Sequence, residues 1–506
     1  MIFDETICAP ATIPGTGAVS MIRVSGPQAL RVCDSVISFK TGAAMSSEGY
    51  TVKYGRVLDK GAVLDEVLCN IYRAPHSYTG EDSAEIFCHA SAYIAERLLQ
   101  LLCAAGARPS RRGEFTQRAF LNGKMDLAQA EAVADVIAAG SEASLRIAMN
   151  QLRGGYSAKL SALRDELLQI TALLELELDF SEEEVEFADR GRLSSLVDET
   201  IAHISALADT FKAGNAIKNG IPVAIVGPVN AGKSTLLNSL LCEDRAIVSD
   251  IAGTTRDTIE ETIVLDGVTY RFIDTAGIRE TADKIEKIGV ERSCAAIEGA
   301  ETVIAMIDAT APLHEAAKEL WEVFSRTGKD QRVIVVRNKV DLFDAISPEE
   351  FPTKDMAYGV LELRYPAFGT YQLDPSALSE ALCRLMGERY GTDPHTLMQR
   401  LEGGSVLDIS ARTGEGLQEL RQLICAGAAQ GLSSQESLVT NLRHYEELRA
   451  SCDALRRVRS ALSAGTPGDL ISQDLREALH HLGTITGQIT TDEVLGNIFS
   501  NFCIGK

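Results

Sequence analysis

Gly227, Gly232, Lys233 and Ser234 stand in the order Gly-x-x-x-x-Gly-Lys-Ser, a spacing that cradles phosphate. The glycines let successive backbone N–H groups turn toward one point. Lys233 can reach the β- and γ-phosphates, and the Ser234 hydroxyl can coordinate Mg²⁺. Asn230 and Ala231 lie inside the loop, and Thr235 follows it. Four further groups come in the order that a guanine nucleotide site needs. In Ser249-Asp250-Ile251-Ala252-Gly253-Thr254-Thr255, a threonine hydroxyl at Thr255 can complete the Mg²⁺ shell and sense the γ-phosphate. In Asp274-Thr275-Ala276-Gly277, the carboxylate can hold a water on Mg²⁺ and the Gly277 N–H can meet the γ-phosphate. In Asn338-Lys339-Val340-Asp341, the Asp341 carboxylate can accept from the ring N–H and exocyclic amine of guanine. Adenine lacks that pair of donors, so the carboxylate would be left unpaired against ATP. Ser410-Ala411-Arg412 adds a backbone N–H for the guanine oxygen.

Hydrolysis needs more than binding. Ile278 occupies the position after Gly277 where a Ras-like enzyme carries a water-orienting glutamine. Glu286, nearby in sequence, could position water, directly or through a second water, although chemistry alone favours reading it as charge on a helix surface. No arginine finger is visible. The Asn230 side-chain oxygen and the carbonyls of residues 249–254 offer ligands for a monovalent cation in its place.

These residues need strands to end at them. The apolar run Val223 to Val226 reads as a buried strand, and Leu236, Leu237, Leu240 and Leu241 mark the helix that follows the loop. Thr302–Ile307 and Val333–Val336 are further buried-strand runs. Asp266-Gly267 between two apolar runs signals a hairpin. The stretch 217–429 therefore reads as an α/β nucleotide-binding domain.

Before it, residues 1–121 read as mixed α/β. Strands are expected at Ala18–Val24, Val63–Tyr72 and Ser83–Phe87, and helices at Ala29–Ile37 and Ala90–Ala105. Arg23, Glu85 and Lys124 fall near strand or turn boundaries and read on spacing as surface charge. Residues 122–216 read as long helices, at Leu127–Met149, Tyr156–Leu178 and Arg192–Lys212. A break is expected at Ala213-Gly214-Asn215. Residues 430–506 are helical again, at Leu442–Leu462 and Asp474–Leu482, so the nucleotide domain reads as an insertion into a helical one. The acidic run Ser181–Glu186 reads as a solvated connection, and Pro375–Met386 as a helix inside a long segment between Asp341 and Ser410.

At 506 residues the chain is too long for one ordinary core. A net charge of −22 argues against wrapping nucleic acid by bulk electrostatics, although a local basic patch can still meet RNA. The 11 cysteines include no C-x-x-C pair, and no signal sequence or long apolar segment is visible. Reduced thiols, a cytoplasmic location and no membrane association are expected.

The chain resembles the tRNA modification GTPase MnmE (TrmE) family along nearly its whole length. The most specific marker is the end, Phe499-Ser-Asn-Phe-Cys-Ile-Gly-Lys506. Gly227–Ser234, Ile251–Asp257, Tyr78–Asp82 and Gly113–Lys124 support it. The resemblance implies a folate-binding-like α/β domain over 1–121 that forms a homodimer. It also implies a Ras-like P-loop GTPase domain over 217–429, inserted into a helical domain of 122–216 and 430–506. Arg23, Glu85, Lys124 and Lys506 match the family's positions for 5,10-methylene- or 5-formyl-tetrahydrofolate. Ser234 and Thr255 match its Mg²⁺ ligands, and Glu286 its hydrolysis residue. Asn230, Ser249, Ile251 and Thr254 match its K⁺ ligands. Composition alone reads Cys503 as a small apolar residue of a disordered tail; the resemblance makes it functional. The family binds GTP and tRNA and forms a heterotetramer with the flavoprotein MnmG, which uses FAD. Together they modify C5 of a wobble uridine.

A ribosome-assembly GTPase shares Asp274-Thr-Ala-Gly277 followed by an apolar residue, but it does not explain the Cys-Ile-Gly-Lys terminus. A helical scaffold with a vestigial nucleotide site conflicts with the intact motif set. The segment between Asp341 and Ser410 is longer than the family pattern, and Ser249 stands where threonine is frequent.

Overall fold

The computed structural model describes residues 4–179, 190–244, 260–274, 296–328, 331–345, 375–391, 393–400, 406–432, 438–464, 466, 468–500 and 502–505. Two compact units emerge, one of Met1–Ala138, Ile147–Asp209 and Asn441–Lys506, the other of Ala139–Arg146 and Thr210–Thr440.

The first unit holds a seven-stranded sheet of β1 (Thr6–Pro10), β2 (Val19–Ser25), β3 (Ile37–Phe39), β4 (Thr51–Asp59), β5 (Ala62–Tyr72), β6 (Ser83–His89) and β7 (Ala107–Pro109). Their order is β3-β4-β5-β6-β2-β1-β7. All neighbours are antiparallel except β1 and β7. The β4–β5 hairpin turns at Lys60 and Gly61, both at positive φ, which matches the strand twist. Alternation then separates the faces. Ile22, Val24, Val57, Val67, Ile71 and Ile86 face the helices Ala29–Val36 and Ala92–Ala104, which contribute Leu30, Cys33, Leu98 and Leu102 to the same core. The other face carries a transverse row in register, Tyr54 opposite Leu68, Leu68 opposite Phe87 and Phe87 opposite Met21. Tyr54, Leu68 and Val52 on this face are exposed.

The helices Gly155–Asp179, Arg190–Asp209, Leu442–Ser463 and Gly468–Thr486 pack in a closed ring, each against two others. Buried residues recur every three to four positions on each helix: Leu160, Leu163 and Leu167; Val197, Ile201 and Ile204; Leu448, Cys452 and Leu455; Leu475, Ala478 and Leu482. Buried Glu131 joins this group by accepting from Arg443 Nε and Nη2 at 3.2 and 3.0 Å. It also lies 2.6 Å from His444 Nε2. Burial raises its pKa, but His444 and Arg443 outweigh that and hold it at about 2. The helix Asp492–Ser500 then brings Leu495, Phe499 and Phe502 onto Leu127, Ala130 and Val133.

The second unit is a six-stranded sheet in the order β13 (Leu407–Asp408), β12 (Arg332–Asn338), β11 (Thr302–Asp308), β8 (Ile221–Val226), β10 (Val268–Asp274) and β9 (Glu260–Leu265). All neighbours are parallel except β9 and β10, which form the expected hairpin at Asp266-Gly267. This is a Ras-like arrangement, and its strands end at the residues singled out above. Among the described residues no helix is long and apolar enough to cross a membrane.

The expected strands at Ala18–Val24, Val63–Tyr72 and Ser83–Phe87 correspond to β2, β5 and β6. The helix expected at Pro375–Met386 runs Pro375–Tyr390. Two expectations need correction. Leu127–Met149 is not one helix but two, Leu127–Ala138 and Glu142–Leu152. Ser141 begins the second, its hydroxyl accepting from Ser144 N at 3.3 Å. The expected break at 213–215 is helix, Phe211–Asn219. Gly214 there is a close-approach residue, since a Cβ would stand 2.2 Å from Val439 O. The acidic run 181–186 lies outside the described residues.

Arg118 is fully buried beside the sheet. It donates to Glu5 O at 2.9 Å, to Glu81 Oε1 at 3.1 Å and to Glu114 Oε1 at 3.0 Å. Burial pushes Glu114 up, but Arg108, the Arg111 N–H and Arg118 hold it at about 2. Glu114 therefore stabilises the fold fully above about 4.5, and this contribution is lost as pH falls toward about 2. Arg118→Met removes one of Glu114's two arginines and the ion-pair partner of Glu81, at about 1–3 kcal/mol. Hydrogen exchange of residues 107–121 should accelerate, while the fluorescence unfolding midpoint of Trp321 in the other unit stays put. Unchanged exchange in this segment would contradict the assignment.

Candidate functional site

The phosphate loop follows β8, whose Val223, Ala224, Ile225 and Val226 are all buried. At Gly227 (φ 153°) a Cβ would sit 2.4 Å from Met306 O. At Gly232 (φ 97°) it would sit 2.3 Å from Asn338 Nδ2. Only glycine fits either place, so the loop closes around space that side chains would fill. Asn230 takes φ 67°, a left-handed conformation that asparagine tolerates. Lys233 Nζ donates to Gly227 O and Pro228 O at 2.8 Å each, which folds the lysine back across its own loop. Ser234 and Thr235 open the helix Lys233–Asp244.

The neighbouring strand ends complete the constellation. Asn338 is buried and bridges two loops. Its Nδ2 donates to Ala231 O at 2.7 Å, and its Oδ1 accepts from Ala411 N at 2.9 Å. Ser410 Oγ donates to Asp341 Oδ1 at 2.8 Å, fixing the carboxylate. Lys339, at φ 73°, reaches Asp308 Oδ2 at 2.5 Å. Burial raises the Asp308 pKa, but Lys339 and Thr310 outweigh it and keep the carboxyl below its ordinary range. Glu319 is pushed up to about 7 by burial and by Glu315, Glu322 and Asp308, which Lys233 offsets only in part.

The residues Asn230, Lys233, Asn338, Asp341 and Ser410 thus meet at the carboxyl ends of β8, β12 and β13, and Asp274 ends β10. Residues 249–255, Thr275–Gly277 and Glu286 lie outside the described residues. The bridging role of Asn338 and the Lys339–Asp308 pair were not foreseen. The one available signal was an aspartate at the end of a buried strand.

A second cluster lies on the open sheet face of the first unit. Arg23 and Glu85 are paired in register across β2 and β6. Arg23 Nη2 donates to Glu85 Oε1 at 2.9 Å, and Tyr72 OH donates to Glu85 Oε2 at 3.1 Å. The guanidinium lies 5.2 Å from the Tyr78 ring centre and 5.7 Å from that of Phe115. Desolvation leads in raising both the Tyr72 and the Tyr78 pKa. Arg23 Nη1 also donates to Gly505 O at 3.4 Å.

The tail is tightly placed there. A Cβ on Gly505 would stand 2.1 Å from Pro10 O, and one on Gly113 would stand 2.7 Å from Phe499 O. Gly113 N donates to Cys503 O at 3.4 Å, and the Cys503 side chain is exposed. The tail is therefore docked rather than disordered, and Arg23 and Glu85 are a shielded pair rather than surface charge. Lys124 is exposed, and its Nζ donates to Pro75 O at 2.9 Å. Lys506 is outside the described residues.

Comparison with known proteins fits this arrangement. The family described as "GTP-binding protein TrmE N-terminus" matches residues 6–124, and "MnmE helical domain" matches residues 127–503. The protein of Bacteroides fragilis called tRNA modification GTPase MnmE is 45% identical, over 99% of this chain and 100% of its own length. Its namesake in Parabacteroides distasonis is 46% identical over the same shares. That of Flavobacterium johnsoniae is 44% identical over the whole of both chains.

Asn338→Ala removes both loop ties and leaves the Ala411 N–H and Ala231 O without partners. The loss is about 1–3 kcal/mol per buried group. Guanine nucleotide affinity, read by titration with a fluorescent GDP, should fall at least about tenfold. Affinity equal to that of the unaltered chain would show that the bridge does not shape the site.

Proposed function

Because the chain belongs to the MnmE (TrmE) family of tRNA modification GTPases, we propose that it is K⁺-stimulated and works with an MnmG-like flavoprotein on tRNA wobble uridines. The complex would add an aminomethyl or carboxymethylaminomethyl group to C5. The partner supplies FAD, and the assembly is a heterotetramer in the cytoplasm.

The observation that carries this reading is the docked tail. Gly505 O rests on Arg23, which holds Glu85, while Cys503 two residues earlier presents an exposed thiol. A generic nucleotide switch needs no exposed thiol on a tail docked against a shielded ion pair. Tetrahydrofolate, as the 5,10-methylene or 5-formyl form, would supply the one-carbon unit when bound. Arg23, Glu85, Lys124 and Lys506 would hold it, with the Tyr78 and Phe115 faces nearby. The exposed Val52, Tyr54 and Leu68, in a row with the half-buried Phe87, support the homodimer, because such an apolar row on an open sheet face is a natural interface.

The glycine-lined cradle fits a triphosphate. On binding, Lys233 would exchange its two carbonyl partners for β- and γ-phosphate oxygens. Ser234 and Thr255 would hold Mg²⁺. Asn230, Ser249, Ile251 and Thr254 would hold K⁺, which supplies positive charge where the transition state becomes more negative. Glu286 would position the water that attacks the γ-phosphorus, so that the bond to the GDP oxygen breaks and phosphate leaves. Asp341, oriented by Ser410, would take the guanine donors, and the loop Ser410–Arg412 would cover its oxygen. In domain terms, 1–121 would bind folate and dimerise, 217–429 would hydrolyse GTP, and 122–216 with 430–506 would link them.

Two experiments test this. Replacing K⁺ by Na⁺ should slow GTP turnover at least about tenfold, as loss of a charge-stabilising group does; equal rates reject the cation role. Cys503→Ser should leave GTP turnover unchanged and abolish wobble modification. Nucleoside analysis of tRNA from cells carrying only the variant reads this out, and a fully modified pool rejects it.

A further inference from the structure

The loop before the helix Glu114–Leu121 collects charge unevenly. Glu114 is taken by Arg108 and Arg118, Glu5 by Arg108, and Glu81 by Arg118. Every carboxylate here is engaged. Arg111 and Arg112 are exposed, and neither makes an ion pair or a side-chain hydrogen bond among the described residues. Their backbone is not loose. Arg111 N donates to Glu114 Oε2 at 2.8 Å, and Gly113 N donates to Cys503 O at 3.4 Å. Gly113 is held at φ 66° against Phe499 O, so the loop cannot shift without moving the tail.

Two adjacent guanidiniums with no acid to quench them therefore project from a fixed loop that is bonded to the backbone of Cys503. They do so on a chain whose net charge is −22. Guanidinium forks match phosphate oxygens in pairs, and phosphate contacts set position rather than sequence.

We propose that Arg111 and Arg112 grip the phosphate backbone of the substrate tRNA and set the register of its reacting base at Cys503. This rests on the tRNA-modification reading above and adds a docking surface to it. The ligand is an RNA backbone, and the contacts are electrostatic, so sequence does not enter. A strongly acidic chain then holds its RNA by a small local patch rather than by overall charge.

The test uses the full chain and a fluorescein-labelled unmodified tRNA transcript, with anisotropy followed from about 50 to about 200 mM salt. The double variant Arg111→Ala/Arg112→Ala should bind about tenfold or more weakly at low salt. Its slope of log affinity against log salt should fall by about 1 to 2, roughly one per lost phosphate contact. Arg111→Lys/Arg112→Lys should keep most of the slope, because charge is retained. Hydrogen exchange of residues 107–121 and GTP turnover in both variants should match the unaltered chain, which reports that both units are folded. Unchanged affinity and slope in the alanine variant, with normal binding by the unaltered chain, overturn this proposal alone. Weaker binding with an unchanged slope overturns it too. So does intact tRNA binding with lost binding of the flavoprotein partner, which makes the patch a protein-docking surface. An unaltered chain with no salt-dependent affinity for tRNA overturns the tRNA-modification reading as well.

Discussion

The hydrogen bond from Arg23 to Gly505 O ties the end of the chain to its first sheet, 482 residues away in sequence. The first unit is organised to make that bond possible. The helical ring carries the chain from the sheet and back, and the helix Asp492–Ser500 delivers Phe499 and Phe502 into a pocket formed with Leu127, Ala130 and Val133. Glycines at 113 and 505 then let backbone meet backbone where a Cβ would collide with Phe499 O or Pro10 O. An exposed thiol on a tail is ordinarily a wandering group. Here its position is fixed on both sides, by Phe502 before it and Gly505 after it.

The second unit solves a similar problem with a side chain. A phosphate loop is a run of backbone with few partners of its own. Asn338 joins it to the loop of Ala411, so that the phosphate end and the base end of the site share one buried amide. Asp341 is steadied by Ser410, and Lys339 by Asp308. Most of these contacts connect the ends of parallel strands, which is why the sheet order matters more than any one motif.

Much of this was legible in the sequence, for definite reasons. Gly227 to Ser234 is local, and the glycine positions and the lysine are set by the phosphate itself. The Asp266-Gly267 turn was legible because two positive-φ residues announce it. Arg23 and Glu85 were not, because they lie 62 residues apart and only the β2–β6 register brings them together. Spacing alone left them as surface charge, and the family resemblance was needed to join them. Gly214 misled in the opposite direction. Glycine inside a helical pattern suggests a break, but here its missing side chain makes room for Val439 O and the helix continues. Local chemistry is readable from local spacing, whereas long-range approach is not.

The group of Glu131, Arg443 and His444 brackets every passage of the chain between the two units, with Glu131 before the first and Arg443 and His444 after the last. Glu131 precedes Ala139, and Arg443 follows Thr440. The ion pair thus closes a ring 312 residues around without any covalent link. Closure entropy grows only with the logarithm of ring size, so even doubling the ring would cost only about 0.6 kcal/mol. Length within the inserted unit is therefore almost free once the ring is shut. The long stretch between Asp341 and Ser410 needs no stabilising purpose to persist, and this architecture leaves evolution room to lengthen or trim it while the tail and the sheet stay joined.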